Sequence, residues 1–205
     1  MADAALVAIL AGGRGRRLGG AKPTAALGPL PLVAHPLAAA SEAGLDVVVV
    51  AKPHTPLPAL ECDVIYERSP AHHPLHGLIA ALTVAGARSP DCACIALACD
   101  MPFVTAPLLS WLAEAGPGGA SARGGLDALV TSADGRLQPL LARYLPGHRN
   151  KLEEALQAGR SLTAAAESLC PQIADERELR RFGDPRRLSF SVDSAADLEL
   201  ARRLL

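Results

Sequence analysis

The stretch Leu10-Ala-Gly-Gly-Arg-Gly-Arg-Arg-Leu-Gly-Gly20, followed at once by Ala21-Lys22-Pro23, says most about this chain. Just before it, Ala5-Leu-Val-Ala-Ile-Leu10 is a short apolar, partly β-branched run that reads as a buried strand. A strand running straight into glycines and arginines is an unusual way to build a plain turn. Glycines such as Gly12 and Gly13 let backbone N–H groups approach an anion closely, because no Cβ stands in the way. Arg14, Arg16, Arg17 and Lys22 supply the positive charge that a polyphosphate demands. The residues fit a nucleotide-phosphate cradle, with a glycine-rich surface loop kept soluble by its arginines as the alternative.

Spacing excludes two commoner cradles. A Walker loop needs its lysine directly after a glycine with Ser or Thr next, whereas Ala21 precedes Lys22 and Pro23 follows it. The dinucleotide fingerprint needs a third glycine where Leu18 stands after Gly13 and Gly15. What remains, L-A-G-G-x-x-x-R-L-G-G-x-K, resembles the signature loop of nucleotidyltransferases that activate small molecules with a nucleoside triphosphate. The best match is to the molybdenum cofactor guanylyltransferases. The resemblance implies that Leu10, Ala11, Gly12, Gly13 and Arg14 bind the nucleotide. It also implies that Arg17 and Lys22 hold its β- and γ-phosphates.

A second constellation is Leu97-Ala-Cys-Asp100-Met-Pro-Phe-Val-Thr105. An aspartate directly after an apolar run lies at the carboxyl end of a strand, where open α/β sheets bind ligands. Pro102 then forbids continued ladder bonding. The residues leave open a turn or helix-cap aspartate. The segment resembles the C-D-x-P-[FY]-[LIV] of the same family, which implies that Asp100 holds Mg²⁺. A third constellation, Ser189-Phe-Ser-Val-Asp193-Ser-Ala-Ala-Asp197-Leu198, resembles the family's closing motif. There Asp193 takes the second metal contact by resemblance, with an ordinary turn aspartate as the alternative. Ser194 and Asp197 have the spacing of a helix-start device.

Between them, Glu67-Arg-Ser-Pro-Ala-His-His-Pro74-Leu75-His76-Gly77-Leu78 resembles the family segment D-x…G-P-L-x-G-L, which lines the base and ribose pocket. By that resemblance Glu67, Pro74, Leu75 and Gly77 bind the nucleotide. The chain departs from the pattern where His73 replaces a glycine and Glu67 an aspartate. His73 would narrow the pocket or stack on a base, and His72 and His76 read as surface or helix-start residues. Gly135-Arg-Leu-Gln138-Pro-Leu-Leu-Ala-Arg143-Tyr144 resembles the family strand Q-P-L-x-x-x-[YW] that follows the loop.

At 205 residues, 50% of them hydrophobic, the chain is expected to form one domain over residues 1–205. A net charge of −1 argues against nucleic acid or an anionic membrane as partner. No stretch of about 18 apolar residues occurs and no signal-peptide pattern opens the chain, so a soluble, cytoplasmic protein is expected. The five cysteines, Cys62, Cys92, Cys94, Cys99 and Cys170, read as buried thiols rather than a disulfide or zinc framework.

Strand-like and helix-like runs alternate. Val47–Val50, Asp63–Tyr66 and Cys94–Cys99 read as strands, and Leu32–Ala43 and Leu75–Ala85 as helices. Gly116–Gly125 reads as a loop, Leu126–Thr131 and Leu137–Tyr144 as strands about Asp134-Gly135, and Arg149–Ala158 as a helix. Pro171–Asp175 and Leu188–Val192 read as short strands before a closing helix, Ala195–Leu205. This order predicts an α/β fold, a mostly parallel twisted sheet with helices on both faces. The resemblance implies a Mg²⁺-dependent transfer of GMP from GTP to a phosphorylated acceptor, molybdopterin first, with possible contact to other cofactor-biosynthesis proteins. A related transferase using CTP and a non-catalytic nucleotide-binding module are the competing readings.

Overall fold

The apolar run after Ala5 forms β1 (Leu6–Leu10), buried along its whole length. The computed structural model describes residues 5–13, 15–18, 20–69, 71–114 and 128–205, and of Arg16 the backbone only. Arg14 and the loop expected at Gly116–Gly125 lie outside the described residues. A small hairpin follows β1, made of β2 (Ala26–Leu27) and β3 (Leu30–Pro31), and leads into α1 (Ala34–Glu42). Next come β4 (Asp46–Ala51), β5 (Asp63–Tyr66), α2 (Pro74–Arg88), β6 (Cys94–Ala98) and α3 (Ala106–Ala113). The remainder holds β7 (Leu129–Ala133), β8 (Arg136–Tyr144), α4 (Arg149–Gln157), α5 (Leu162–Glu167) and β9 (Gln172–Ala174). Three short helices close it: α6 (Glu176–Leu179), α7 (Pro185–Leu188) and α8 (Ala195–Leu204).

The strands join in one seven-stranded sheet of order β5-β4-β1-β6-β8-β7-β9. β4 and β6 flank β1 in parallel, and β5 extends the parallel part beyond β4. The chain thus winds outward from β1 on one side, then crosses back to its other side. That reversal opens a crevice at the carboxyl ends of β1, β4 and β6. β8 alone runs antiparallel, against both β6 and β7, so β7 and β9 return to the direction of β1 and the sheet is mostly parallel within a single α/β domain.

Strands covered on both faces lose the polar alternation of a half-exposed sheet, hence the continuous Val47–Val50 run. Val7, Ile9, Ile95 and Leu97 point to the face packed by α1 and α3, with Leu108, Leu109 and Leu112 opposite them. Leu6, Ala8, Val48 and Val50 point to the other face, covered by α2, α4 and α5 through Leu78, Leu82, Leu152 and Ala165. Each fully buried Leu contributes about 1.5–3 kcal/mol of transfer energy.

Two local features bear on the site. Pairing of β7 with β8 slips between Val130, opposite Ala142, and Thr131, opposite Gln138, so the chain bulges around Pro139. Tyr144 braces the bulge by donating its hydroxyl to the Pro139 carbonyl at 2.9 Å. The second feature corrects the sequence reading: Leu188–Val192 is not a strand. Asp184 accepts from the Arg186 N–H and Pro185 follows it, which starts the turn of α7, after which residues 189–193 run without a ladder. Phe103, Val192 and Ala201 join Leu27 and Leu32 in a third apolar cluster, which pins this tail across the hairpin.

Candidate active site

Three chain segments converge where β1, β4 and β6 end. The first is the glycine loop, stapled to the sheet by Ala11 N–H donating to the Val50 carbonyl at 2.8 Å. Its far part curls back on Gly15, whose carbonyl accepts from Leu18 at 2.8 Å and Gly20 at 2.9 Å. Gly15 has φ +51°. A Cβ there would come within 2.9 Å of the Lys22 Cβ, so both backbone angle and space require glycine. This tight curl presses the start of the next turn, Lys22–Thr24, against the loop.

Asp100 belongs to the second segment. Cys99 N–H donates to the Leu10 carbonyl and Met101 N–H to the Ala98 carbonyl, which turns the chain at the strand end and leaves Asp100 buried at the crevice. Asp193 belongs to the third. It arrives there not through a strand, as expected, but because Val192 N–H donates to the Asp100 carbonyl at 3.0 Å. Asp197 Oδ2 then accepts from the Asp193 N–H, and Ser194 caps α8 by accepting from the Asp197 N–H, as its spacing predicted.

The Lys22 ammonium joins the two acids. It donates to Asp100 Oδ2 and, at 2.7 Å, to Asp193 Oδ1. Burial pulls the Lys22 pKa down, but the two carboxylates outweigh it and hold it above its usual value. Partial burial pushes Asp193 up, yet hydrogen bonding and charge from Lys22, with Ser191 and Arg17, hold its carboxyl below the usual range. Arg17 is exposed and acts at a distance. Asp100 Oδ1 is buried and has no hydrogen-bond partner among the described residues. One orphaned carboxylate oxygen and two more converging on a cation form the hard oxygen set that Mg²⁺ takes beside substrate phosphates.

These groups border a cavity of about 570 Å³. Of the residues expected at the nucleotide, Leu10, Ala11, Gly12, Gly13, Lys22, Glu67, Pro74, Gly77 and Asp100 line it. Leu75 does not; it is buried in the core beneath, on the α2 face of the sheet. His73 lines the cavity but spends Nδ1 capping α2, where it accepts from the Leu75 N–H at 3.3 Å. His76 bonds Ser69 Oγ at 3.0 Å, and His72 is exposed at the rim. The β8 bulge contributes Leu140.

Cys99 also lines the cavity, but burial drives its thiol pKa far up, so it offers no thiolate nucleophile. Cys94 is pushed up to about 12 by burial and then by Cys92. Cys92, Cys94 and Cys99 are buried as expected, whereas Cys62 is half-buried and Cys170 exposed. Among the described residues no helix is long and apolar enough to cross a membrane.

The sequence reading missed Lys52. It follows β4 directly, is nearly buried, and lines the cavity opposite Glu67, with Nζ 3.3 Å from Glu67 Oε1. A cation at the carboxyl end of a parallel strand next to β1 was the available signal.

Comparison with known proteins identifies the family. Residues 7–173 match the MobA-like NTP transferase domain. A probable molybdenum cofactor guanylyltransferase of Pelotomaculum thermopropionicum is 29% identical over 195 residues, 95% of this chain and 90% of the relative. One from Mycobacterium tuberculosis is 33% identical over 184 residues, 83% of this chain and 85% of the relative. The crystal structure of molybdopterin-guanine dinucleotide biosynthesis protein A from Archaeoglobus fulgidus superposes with TM-score 0.78 at 26% identity, covering 97% of both chains. A cytidylyltransferase from Thermus thermophilus, at 18% identity and TM-score 0.65, shares the fold. The chain belongs to the MobA-like NTP transferase family and is a nucleotidyltransferase.

Proposed function

We propose that this enzyme transfers GMP from GTP to a phosphorylated acceptor, molybdopterin, with release of pyrophosphate. The observation that carries the reading is Lys22, held between Asp100 and Asp193 beside the Gly12–Gly13 backbone. The guanine nucleotide and the molybdopterin acceptor are supported by the names of the relatives and by the L-A-G-G opening of the loop.

In the proposed reaction a phosphate oxygen of the acceptor attacks the α-phosphorus of GTP. A new P–O bond forms as the bond to the β-phosphate bridging oxygen breaks. No protein nucleophile is needed; positioning and charge neutralisation suffice. The backbone of Leu10 to Gly13 seats the nucleotide. Lys22 exchanges its carboxylate partners for β- and γ-phosphate oxygens and, with Arg17, stabilises the departing pyrophosphate. Asp100 and Asp193 would hold Mg²⁺, which when bound neutralises triphosphate charge and polarises the reacting phosphoryl group. Glu67, Pro74 and Gly77 border the nucleoside.

The test is pyrophosphate release by the purified protein with molybdopterin and either GTP or CTP, over a range of Mg²⁺ concentrations. GTP-dependent release that is lost in Asp100→Asn is the expected result. Release with CTP alone would move the protein to a cytidylyltransferase.

A further inference from the structure

Asp193 stands opposite Asp100, yet no sheet ladder holds it there. Among the described residues, one backbone bond ties its segment to the end of β6, from Val192 N–H to the Asp100 carbonyl at 3.0 Å. The other bonds at Asp193 are local. Its N–H donates to Asp197 Oδ2 at 3.1 Å, and Ser191 Oγ donates to its Oδ2 at 3.3 Å. Lys22 gathers the two carboxylates, but in the reaction proposed above it leaves them for the β- and γ-phosphates. Two like charges then face each other and repel. Something other than the cation between them has to keep their spacing.

A ring stack lies beside that backbone bond. Phe103, three residues after Asp100, is only 8% exposed. Phe190, three residues before Asp193, packs against it with ring centroids 5.9 Å apart and planes tilted by 55°. Aromatic pairs favour such inclined contacts. The Arg187 guanidinium lies over the Phe103 ring, 4.8 Å from its centroid. Arg187 Nη2 also donates to the Leu204 carbonyl at 2.6 Å. That places a cation at the C-terminal end of α8, where the helix carbonyls carry partial negative charge. Helix α8 is tied in turn to the hairpin by Arg202 Nη2, which donates to the Ala26 carbonyl at 3.1 Å. At Arg187, therefore, α7, the end of α8 and the chain beyond β6 meet.

Building on the reading of Lys22 and the two acids above, we propose that Arg187 is a positioning residue that holds Asp193 opposite Asp100 through the Phe103–Phe190 stack. The two rings belong to the two segments that carry the acids, so fixing ring to ring fixes carboxylate to carboxylate. Arginine suits the task because a planar guanidinium lies on a ring and still donates within its own plane to a carbonyl. Neither phosphate nor a metal ion competes for the ring stack. It persists when Lys22 moves.

The experiment compares wild type, Arg187→Met, Arg187→Lys, Phe103→Leu and the double variant of Arg187→Met with Phe103→Leu. Amide hydrogen exchange at Val192, read by NMR without metal, reports the clamp directly. Inorganic tripolyphosphate is added to draw Lys22 from the acids, and a Lys22→Met background removes the cation outright. Under both conditions exchange should speed up about three- to tenfold in Arg187→Met, the worth of a partly covered cation–π contact, and recover in part in Arg187→Lys. With Lys22 in place and no tripolyphosphate, the acceleration should be smaller. Mn²⁺ titration of the GTP complex, followed by EPR, should show a matching loss of affinity, while GTP affinity in EDTA stays at the wild-type value. The double variant should lose no more than Phe103→Leu alone, since the guanidinium then has no ring to hold. Unchanged Val192 exchange on adding Arg187→Met to the Lys22→Met background overturns the clamp. Additive losses in the double variant overturn the route through Phe103. Faster exchange with unchanged Mn²⁺ affinity upholds the clamp and overturns the metal reading of Asp193. An effect in the Lys22→Met background that tripolyphosphate fails to reproduce upholds the clamp and overturns the phosphate reading of Lys22.

Discussion

Lys22 and Lys52 are two nearly buried lysines at one crevice, with side chains 12% and 11% exposed, and they are held in opposite ways. Among the described residues Lys22 answers only to carboxylates from two distant segments, Asp100 at the end of β6 and Asp193 before α8. Carboxylates that can turn instead to a metal ion make its contacts exchangeable. Lys52 answers mainly to backbone carbonyls of the β5–α2 connection, which do not turn to a metal ion. The comparison teaches that a buried cation is poised or locked according to its acceptors, not its depth. Lys22 sits where charge must move, and Lys52 where shape must not.

The sharpest way to break this contrast is at the acid that Lys22 shares with the expected metal. Asp100→Asn keeps size and one acceptor oxygen but removes the charge a hard cation depends on. Transfer should fall to background with the melting temperature little changed. A turn aspartate would tolerate the change, because asparagine serves turns about as well. Wild-type turnover in Asp100→Asn across the magnesium range would therefore remove Asp100 from the mechanism.

Next in size is the loss of the poised cation. Lys22→Ala should weaken GTP far more than GMP, since the proposed contacts lie on the β- and γ-phosphates. One charge-assisted hydrogen bond is worth about 1.5–3 kcal/mol, or about ten- to a hundredfold in affinity. Arg17→Ala should show the same bias more weakly, because Arg17 is exposed. Equal losses for GTP and GMP in calorimetric titration would mean that Lys22 reads something other than the terminal phosphates.

The locked cation should fail differently. Lys52→Met strands the buried Glu67 carboxylate, and removing one partner of a buried pair costs about 3–5 kcal/mol. For a chain of this size that lowers the melting temperature by roughly 6–20 °C, at about 2–4 °C per kcal/mol. Lys22→Met also strands a buried carboxylate, Asp100, but Mg²⁺ can replace the lost cation there and Asp193 regains solvent, so in saturating Mg²⁺ it should cost less. Thermal melts of the two variants side by side decide it, and a larger loss at Lys22 would reverse the assignment of poised and locked.

The same division explains what was legible in the sequence. Lys22 announces itself because its loop is local: β1, the glycines and the lysine lie within one short stretch, and each element follows from hydrophobic pattern or glycine chemistry. Asp100 is legible because an apolar run ends on it and Met101-Pro102 turn the chain. Lys52 was not, since its partners are carbonyls of Ser69 and Ala71, and backbone acceptors leave no mark on composition. Asp193 was legible as an acid but misplaced at a strand end. The apolar residues Phe190 and Val192 face a cluster made by the hairpin and Phe103 rather than a sheet ladder, and periodicity cannot tell the two apart. The β2–β3 hairpin escaped notice because its strands have two residues each.

The smallest expected effect is the pH dependence of the Lys22–Asp193 link, and it is the one that isolates the exchangeable contact from the chemistry. Asp193 titrates below the ordinary 3.8 in the folded protein. Its contribution to stability is therefore fully present above 3.8 and is lost as pH falls through the lower folded value. Lys22 titrates above the ordinary 10.5, so its contribution is complete below 10.5 and is lost as pH rises through the higher folded value. The stability difference between wild type and Asp193→Asn should thus form a plateau between these limits and shrink beyond each. Because Asp193 is 59% exposed, solvent screening keeps the plateau under about 1 kcal/mol, and added salt should lower it further. Denaturant titrations at pH 3, 7 and 11 measure it, and Mg²⁺ affinity of the same variant gives the functional counterpart, which should weaken at neutral pH. A difference that stays constant from acid to alkali would show that Lys22 and Asp193 are neighbours without being partners, and the poised contact would then rest on Asp100 alone.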